Sequence, residues 1–353
     1  MNVSKTVFVG LSGGVDSSVA ALRLINQGYN VVGVFIKVWH PDFMICNWEA
    51  ERLDAMRVAA HLGIPFLTCD AEEAYKDDVA DFFINEYREG RTPNPDVMCN
   101  QHVKFGKFLD FAIKKGADFI ATGHYVRKVD SDSKSQMYRG IDTGKDQTYF
   151  LWSLTEEQLD KVLFPVGDTD KEQIRKEAER AGLPTASKKD SQGICFLGHV
   201  DIPEFLAHYI DLVPGDVLNK EGSVIGYHQG SLVYTLGQRH GFTINKSDNN
   251  RQVLYVSGKN FENNTITVDT LKPVNQTNQE VHLKNSVLRI KIIPGDIIEA
   301  QFRYRQNPFE VKVSTVTEDK ISLKPLKPVE APAAGQSCVL YQESLCLGGG
   351  IIE

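Results

Sequence analysis

Apolar positions recur with two different periods over about the first 125 residues. Thr6 to Leu11 (TVFVGL) is a short β-rich run, and Ser17 to Gln27 (SSVAALRLINQ) carries helical spacing that ends at Gly28. YNVVGVFIKV predicts a second strand, a helix from about Trp48 to Leu62 follows, FLTCD predicts a third strand, and Glu72 to Tyr87 is helical again. Phe105, Phe108, Leu109 and Ala112 stand at i, i+3, i+4 and i+7, and ADFIATG predicts one more strand. Strand and helix in alternation with short links imply right-handed crossovers and a parallel α/β sheet covered on both faces.

The pattern changes near Leu154. TEEQLDKVLFPVG and DKEQIRKEAERAGL read as two amphipathic helices, and DIPEFLAHYI as a further short one. After Val213-Pro214-Gly215 the helices stop, and short alternating runs such as GSLVYTLG, QVLYVSG, NTITVDT, SVLRIKII, EVKVSTV and CVLYQESLCLGGG recur about every ten residues. That spacing predicts an all-β sandwich or barrel. Three domains are therefore expected: an α/β domain over 1–160, a small helical domain over 161–212, and a β-barrel over 213–353.

With 42% apolar and 24% charged residues, the 353-residue chain excludes disordered, collagen-like and coiled-coil classes. No apolar run reaches the ~18 residues of a membrane helix, so no membrane partner is expected. The N-terminus reads as neither signal nor transit peptide. Six cysteines without CxxC spacing fit a reducing cytosol and offer no zinc site, so a cytoplasmic protein without a structural metal is expected. The net charge of −7 argues against a generally nucleic-acid-binding surface. The charge is segregated, however: −5 over 1–83 and +3 over 84–128. Lys104, Lys107 and Lys114 share a helical face, Arg127-Lys128 follow the next strand, and Lys188-Lys189 and Arg303-Tyr304-Arg305 form further basic loops. Phosphate contacts need such a lattice, although lysines on an amphipathic helix also simply solvate its outer face.

Leu11-Ser12-Gly13-Gly14-Val15-Asp16-Ser17-Ser18 joins the first strand to the first helix. In an open α/β sheet, ligands bind beyond the carboxyl ends of the strands, where helix N-termini present free N–H groups. Two glycines let the backbone wrap an anion, and three serines add hydroxyls. Asp16 suits an anion nest only when a divalent cation bridges it to phosphate. A plain capped turn would use the same residue types. The loop is neither GxxxxGK[ST] nor GxGxxG, which counts against P-loop kinases and dinucleotide oxidoreductases.

Cys99 ends the Pro-stiffened loop Thr92 to Met98, where Asn100 is expected to cap the next helix. A thiol at a helix N-terminus has a lowered pKa. Cys195 lies in KKDSQGIC with two lysines close by. Cys46, Cys69, Cys338 and Cys346 read as small apolar core residues.

SGGVDSS after a first strand resembles the pyrophosphate loop of the adenylating ATP pyrophosphatases. GRTPNPDVMCN, ATGHYVR, KDQTYFLWSL, DSQGICF, YTLGQRHG, RYRQ and the terminal CLGGGIIE, in this order, together resemble the bacterial tRNA-specific 2-thiouridylases. The resemblance implies ATP with Mg²⁺, tRNA substrates for Lys, Glu and Gln, and sulfur from a persulfide-carrying protein or cysteine desulfurase. It implies thiolation at C2 of the wobble uridine through adenylation of the C2 oxygen. Cys195 would carry the persulfide, Cys99 would attack it and form a transient disulfide, and Asp96 would move protons. Gly10, Leu11, Ser12, Gly13, Gly14, Val15, Asp16, Ser17, Ile36 and Gly123 would hold ATP. Asn94, Pro95, Asp96, His124, Lys145, Asp146, Gln147, Arg303, Tyr304 and Gln336 would touch tRNA. The rivals are an adenylating ligase or amidotransferase acting on a small substrate, which needs no Cys195, and a nucleotide-sensing or RNA-binding module without turnover.

Overall fold

In a computed structural model the described residues are 4–44, 48–131, 134–189, 195, 198, 201–245 and 252–353. Cys46 and all of DSQGICF except Cys195 lie outside them.

β1 (Thr6–Gly10), β2 (Asn30–Lys37), β3 (Phe66–Asp70) and β4 (Phe119–Ala121) form a parallel sheet in the order β3-β2-β1-β4, with Val162–Leu163 added beyond β4. The unbroken apolar run of β2 is what a strand covered on both faces requires. Helix α1 (Val15–Asn26) crosses from β1 to β2, and Trp48–Leu62 from β2 to β3. The order turns back between β2-β1 and β4, so the carboxyl ends of β1 and β4 open a crevice at this switch point. The expected helix TEEQLDKVLFPVG is only the turn Glu156–Asp160, capped by Thr155 and Gln158. Its apolar end, Val162–Leu163, is taken instead as the sheet's edge strand.

The strands beyond 213 build a five-stranded sheet and, as expected, a barrel: six strands from Val281–Leu288 to Leu345–Ile352 close on themselves where the first pairs with the last. The five-stranded sheet lies between Gly215 and Asn260/Asp269 and packs on Phe83, Ile84 and Tyr87 of the α/β domain. The barrel is extended at its last strand by a hairpin, Val126–Ser131 with Lys134–Arg139, from within the first 160 residues. A local pattern cannot reveal this, because the partner strand Leu345–Ile352 is some two hundred residues away. The glycines of CLGGGII have a packing purpose: a Cβ on Gly349 would lie 2.4 Å from the Cys338 carbonyl and 3.1 Å from the Trp152 ring. Trp152 thereby sits buried against the terminal strand.

Arg289 ties these parts together. Its buried guanidinium donates to the carbonyls of Trp152 (2.7 Å) and Leu154 (2.8 Å) and to the Cys346 carbonyl (3.2 Å). Arg289→Met would leave three buried carbonyls unpaired and is expected to cost ~3 kcal/mol of stability. The check is a urea unfolding midpoint, which this substitution lowers and which Arg289→Lys does not fully restore.

Candidate active site

The loop after β1 is shaped by contacts only glycine allows. Gly13 has φ +68°, and a Cβ there would sit 2.9 Å from both the Asp54 Cβ and the Glu51 carbonyl oxygen. Gly123, just past β4, approaches the loop from the other side: its Cβ would lie 2.6 Å from the Ser17 nitrogen. Gly10 faces Ile36 and Phe108 across the strand ends. The Gly14 cap of α1 has no side-chain partner, so the first-turn N–H groups of this twelve-residue helix point into the crevice with the positive end of its dipole.

The serines divide. The Ser12 hydroxyl is exposed and accepts from Gly14 N–H (3.3 Å), whereas Ser17 and Ser18 are buried and donate to the Gly14 carbonyl (3.2 and 2.7 Å). Ser18 thus braces the loop from behind. Asp16 differs from the expectation of a cation-bridging acid. Its carboxylate accepts from the Lys171 ammonium (2.7 and 2.8 Å) and the Tyr125 hydroxyl (2.7 Å). Lys171, from the helix Lys171–Arg180, supplies the neutralising charge that sequence reasoning assigned to Mg²⁺. Among the described residues no three His, Cys, Asp or Glu side chains converge as a metal cage. The loop therefore does not present Asp16 as a free Mg²⁺ ligand.

The second cluster gathers Asp96, Cys99, Lys104 and Cys195. Asn94 caps the turn Pro95–Met98 by accepting from Val97 N–H (3.4 Å), so the cap precedes Cys99 and is not Asn100. Asn100 instead donates to the Phe150 carbonyl (3.1 Å). Cys99 is thus a turn inside the helix and fully buried, with its S–H donating to the Cys195 sulfur at 3.4 Å. The expected lowering of its pKa by a helix N-terminus is reversed, since burial and the neighbouring sulfur push the Cys99 thiol well up. Cys195 moves the other way. The Cys99 S–H bond and the Lys104 ammonium hold its thiol below the ordinary value. Its N–H donates to Asp96 Oδ1 (2.8 Å), and its carbonyl accepts from the buried Tyr75 hydroxyl (2.9 Å). Burial raises the Asp96 carboxyl, which suits a proton acceptor.

Lys104 was expected on a solvated face with Lys107 and Lys114. The segment Cys99–Lys107 is π-helical, with i→i+5 hydrogen bonds, and these lay Lys104 over Cys99 instead. Its side chain is half-buried there, and its positive charge is among the causes that lower the Cys195 thiol. Lys107 and Lys114 remain exposed. The other basic positions are partly committed elsewhere. Arg127 donates to the Arg139 carbonyl, Lys128 to the carbonyls of Asp160 and Val162, and Lys188 pairs with Asp54 (2.7 Å).

Three models of known families match the chain: a tRNA methyl transferase HUP domain over 5–199, a tRNA methyl transferase PRC-barrel domain over 203–270, and an aminomethyltransferase beta-barrel domain over 294–352. A tRNA-specific 2-thiouridylase of Proteus mirabilis is 44% identical and spans 100% of this chain and 98% of its own. One from Bacillus licheniformis is also 44% identical, spanning 98% and 94%. The chain belongs to the tRNA-specific 2-thiouridylase family. Among solved structures, a 4-thiouridine synthetase–RNA complex with bound ATP overlaps 58% of this chain and 50% of its own, at 22% identity and a TM-score of 0.37.

In this member of the thiouridylase family the residues expected to touch tRNA do not form one uniform surface. Asp146 is buried, and its carboxylate accepts from Arg139 (3.1 Å), Gly140 N–H (3.0 Å) and the Thr148 hydroxyl (2.8 Å). It locks the hairpin to the domain through both of its oxygens. Gln147 accepts from Tyr125 N–H (2.9 Å) and is likewise a brace. His124 is buried, bonded to Thr122 (2.8 Å), and burial holds its pKa well below the usual value, so it is a neutral ring. Lys145 is half-buried at the turn from Asp142. Arg303 donates to the Leu236 carbonyl (2.7 Å), bridging the two β-sheets, and the Tyr304 ring lies 4.5 Å from that of Phe150. The Oε1 of Gln336 and the Oδ1 of Asn100 are buried acceptors without a partner among the described residues. Sequence reasoning missed Lys171, Tyr125, Tyr75 and the inward turn of Lys104. Only the π-helical register, invisible in periodicity, could have revealed the last.

Gly123→Ala pushes a methyl group into the Ser17 amide and is expected to weaken ATP binding by roughly tenfold or more, ~1.4 kcal/mol. Calorimetric titration with ATP measures this, with the unfolding midpoint as the control.

Proposed function

We propose that this protein replaces the C2 oxygen of the wobble uridine of tRNA with sulfur, using ATP. The observation that carries the reading is the pair of sulfurs 3.4 Å apart beside the Asp96 carboxylate. Uracil C2 is a poor electrophile because its oxygen is a poor leaving group. Transfer of AMP to that oxygen, with release of pyrophosphate, converts it into a group that sulfur can displace. The crevice between β1 and β4 suits the triphosphate: backbone N–H groups of the α1 start, the Ser12 hydroxyl and the Lys171 ammonium all face it. Mg²⁺, when bound with the nucleotide, would offset the charge of the phosphates.

The two clusters are linked. His124 follows Gly123, its ring lies tilted against that of Phe105 (5.7 Å between ring centres), and it lies in the field of Lys104. A uridine flipped out of the open anticodon loop would enter between them, past Asn94, Pro95 and Asp96, with Tyr304 and Gln336 on the barrel side and basic residues such as Lys145 and Arg303 near the strand. The polar rim suits a base edge. Cys195 takes the terminal sulfur from a persulfide-bearing protein, such as a cysteine desulfurase or a carrier loaded by one. That sulfur attacks C2, AMP leaves, and C2 is joined to Cys195 through a disulfide bond. Cys99 gives its proton to Asp96 and attacks the Cys195 sulfur. The Cys99–Cys195 disulfide forms, and the sulfur stays on C2.

Cys195→Ser is expected to abolish 2-thiouridine formation while tRNA-dependent pyrophosphate release from ATP persists. A single-turnover assay with labelled ATP and nucleoside analysis measures both. Full thiouridine formation by the variant, or pyrophosphate release indifferent to tRNA, would overturn the reading.

A further inference from the structure

The nucleotide loop and the turn expected to meet tRNA are held by one residue. Tyr125 stands two positions beyond Gly123 and is only 2% exposed. Its hydroxyl donates to Asp16 Oδ1 (2.7 Å), in the loop after β1. Its backbone pairs with Gln147 in both directions: Tyr125 N–H donates to the Gln147 side-chain oxygen (2.9 Å), and the Tyr125 carbonyl accepts from Gln147 N–H (3.2 Å). Gly140 packs on that carbonyl, which a Cβ there would approach to 2.7 Å. A second arm joins the same two places through Lys171. Its ammonium pairs with Asp16 (2.7 and 2.8 Å) and lies 5.8 Å from the centre of the Tyr125 ring. Its backbone N–H donates to Asp142 Oδ2 (3.1 Å). Asp142 in turn shapes the turn ahead of it, accepting from Gly144 N–H (3.1 Å) on its other oxygen and from Lys145 N–H (3.0 Å) on its carbonyl. Asp16, Tyr125, Gln147, Asp142 and Lys171 thus close a ring, with the phosphate loop on one side and the 142–147 turn on the other. The tip of that turn, Thr143 and Gly144, is exposed.

The charges give this ring two arrangements. Without nucleotide, the Lys171 ammonium neutralises Asp16. A triphosphate in the crevice brings further negative charge and draws on the same ammonium, because phosphate oxygens accept strongly from a cation. The Asp16 carboxylate then depends more on the Tyr125 hydroxyl. The Gln147 pair aims that hydroxyl, and RNA bound on the turn holds the Gln147 pair in place. We propose that Tyr125 is a positioning residue through which tRNA on the 142–147 turn tightens ATP in the crevice, and ATP tightens tRNA by the same factor. The equality is a thermodynamic necessity once the two sites share one element. The inference rests on the thiolation reading above for the identity of its two ligands. Its consequence for that reaction is order: ATP is held most firmly when the RNA that accepts its AMP is already present.

The test is equilibrium binding to the full-length protein of two probes, an ATP analogue with a methylene bridge between the α- and β-phosphorus and an unmodified transcript of a glutamate tRNA. Each is titrated alone and with the other saturating, so no turnover is needed. Wild type should bind each probe about fivefold or more tightly when the other is present. Tyr125→Phe keeps the ring and loses the hydroxyl, and it should bring both ratios below about twofold, equally. Asp142→Ala cuts the second arm and should lower both ratios in part. A merely structural role for Tyr125 would lower the unfolding midpoint and the separate affinities while leaving the ratio intact. A ratio in folded Tyr125→Phe equal to that of wild type therefore overturns the proposal, as does wild type binding the two probes independently. If Tyr125→Phe does not fold, Asp142→Ala decides, and an undiminished ratio there overturns the proposal. Protein that binds the ATP analogue but retains no tRNA overturns the thiolation reading and the proposal with it, whereas independent binding of both overturns the proposal alone.

Discussion

The contact between the Cys99 and Cys195 sulfurs, 3.4 Å apart and largely closed to water, sets what the surrounding chain has to accomplish. Two thiols at this distance in a pocket of low dielectric cannot both ionise, because each charge is poorly solvated and repels the other. The chain resolves this by asymmetry. Cys99 is buried inside a helix and donates its S–H to its neighbour, while Cys195 receives that hydrogen bond. Asp96 fixes the Cys195 backbone by one hydrogen bond and keeps a carboxyl raised in pKa close to both sulfurs. The rest of the domain serves to hold these positions, down to Tyr75 under the Cys195 carbonyl.

The nucleotide end obeys a different constraint, close backbone approach. Gly13 and Gly123 are glycines because any side chain there would collide with Asp54 or with the start of α1. The crevice they shape lies at the switch point of the sheet, where parallel α/β folds generally bind ligands. The Asp16–Lys171 pair ties the loop to a helix 155 residues further on, so the loop is completed by chain well outside the β1–α1 unit.

The parallel sheet and the loop were legible because both are local. A strand covered on both faces is continuously apolar, and a helix shows its period in its own residues. Cys99 and Cys195, 3.4 Å apart in the fold, were legible as a pair only through resemblance, and burial pushes the Cys99 thiol up where its loop suggested the opposite. The prolines suggested a helix starting after Cys99, whereas Asn94 caps one that starts before it. Lys104 was misread because α-helical spacing puts it with Lys107 and Lys114, while the π-helical register rotates it inward. Asp146 and Gln147 looked like an RNA-facing polar motif. Asp146 is a buried partner of Arg139 and Gln147 a half-buried partner of Tyr125, at a junction whose other half is distant in sequence. The C-terminal barrel was legible as a class, but its extension by the 126–139 hairpin was hidden for the same reason.

The central claim is that the two cysteines are consumed together, once per sulfur delivered. It is tested most directly by a single turnover of protein preloaded with persulfide, given ATP and tRNA in the absence of reductant, then quenched with a thiol-blocking reagent. Peptide mapping counts the Cys99–Cys195 disulfide, and nucleoside analysis counts 2-thiouridine. The account predicts one disulfide for each thiouridine, both appearing at the same rate. Thiouridine accumulating while Cys99 and Cys195 are both recovered as blocked free thiols would contradict it.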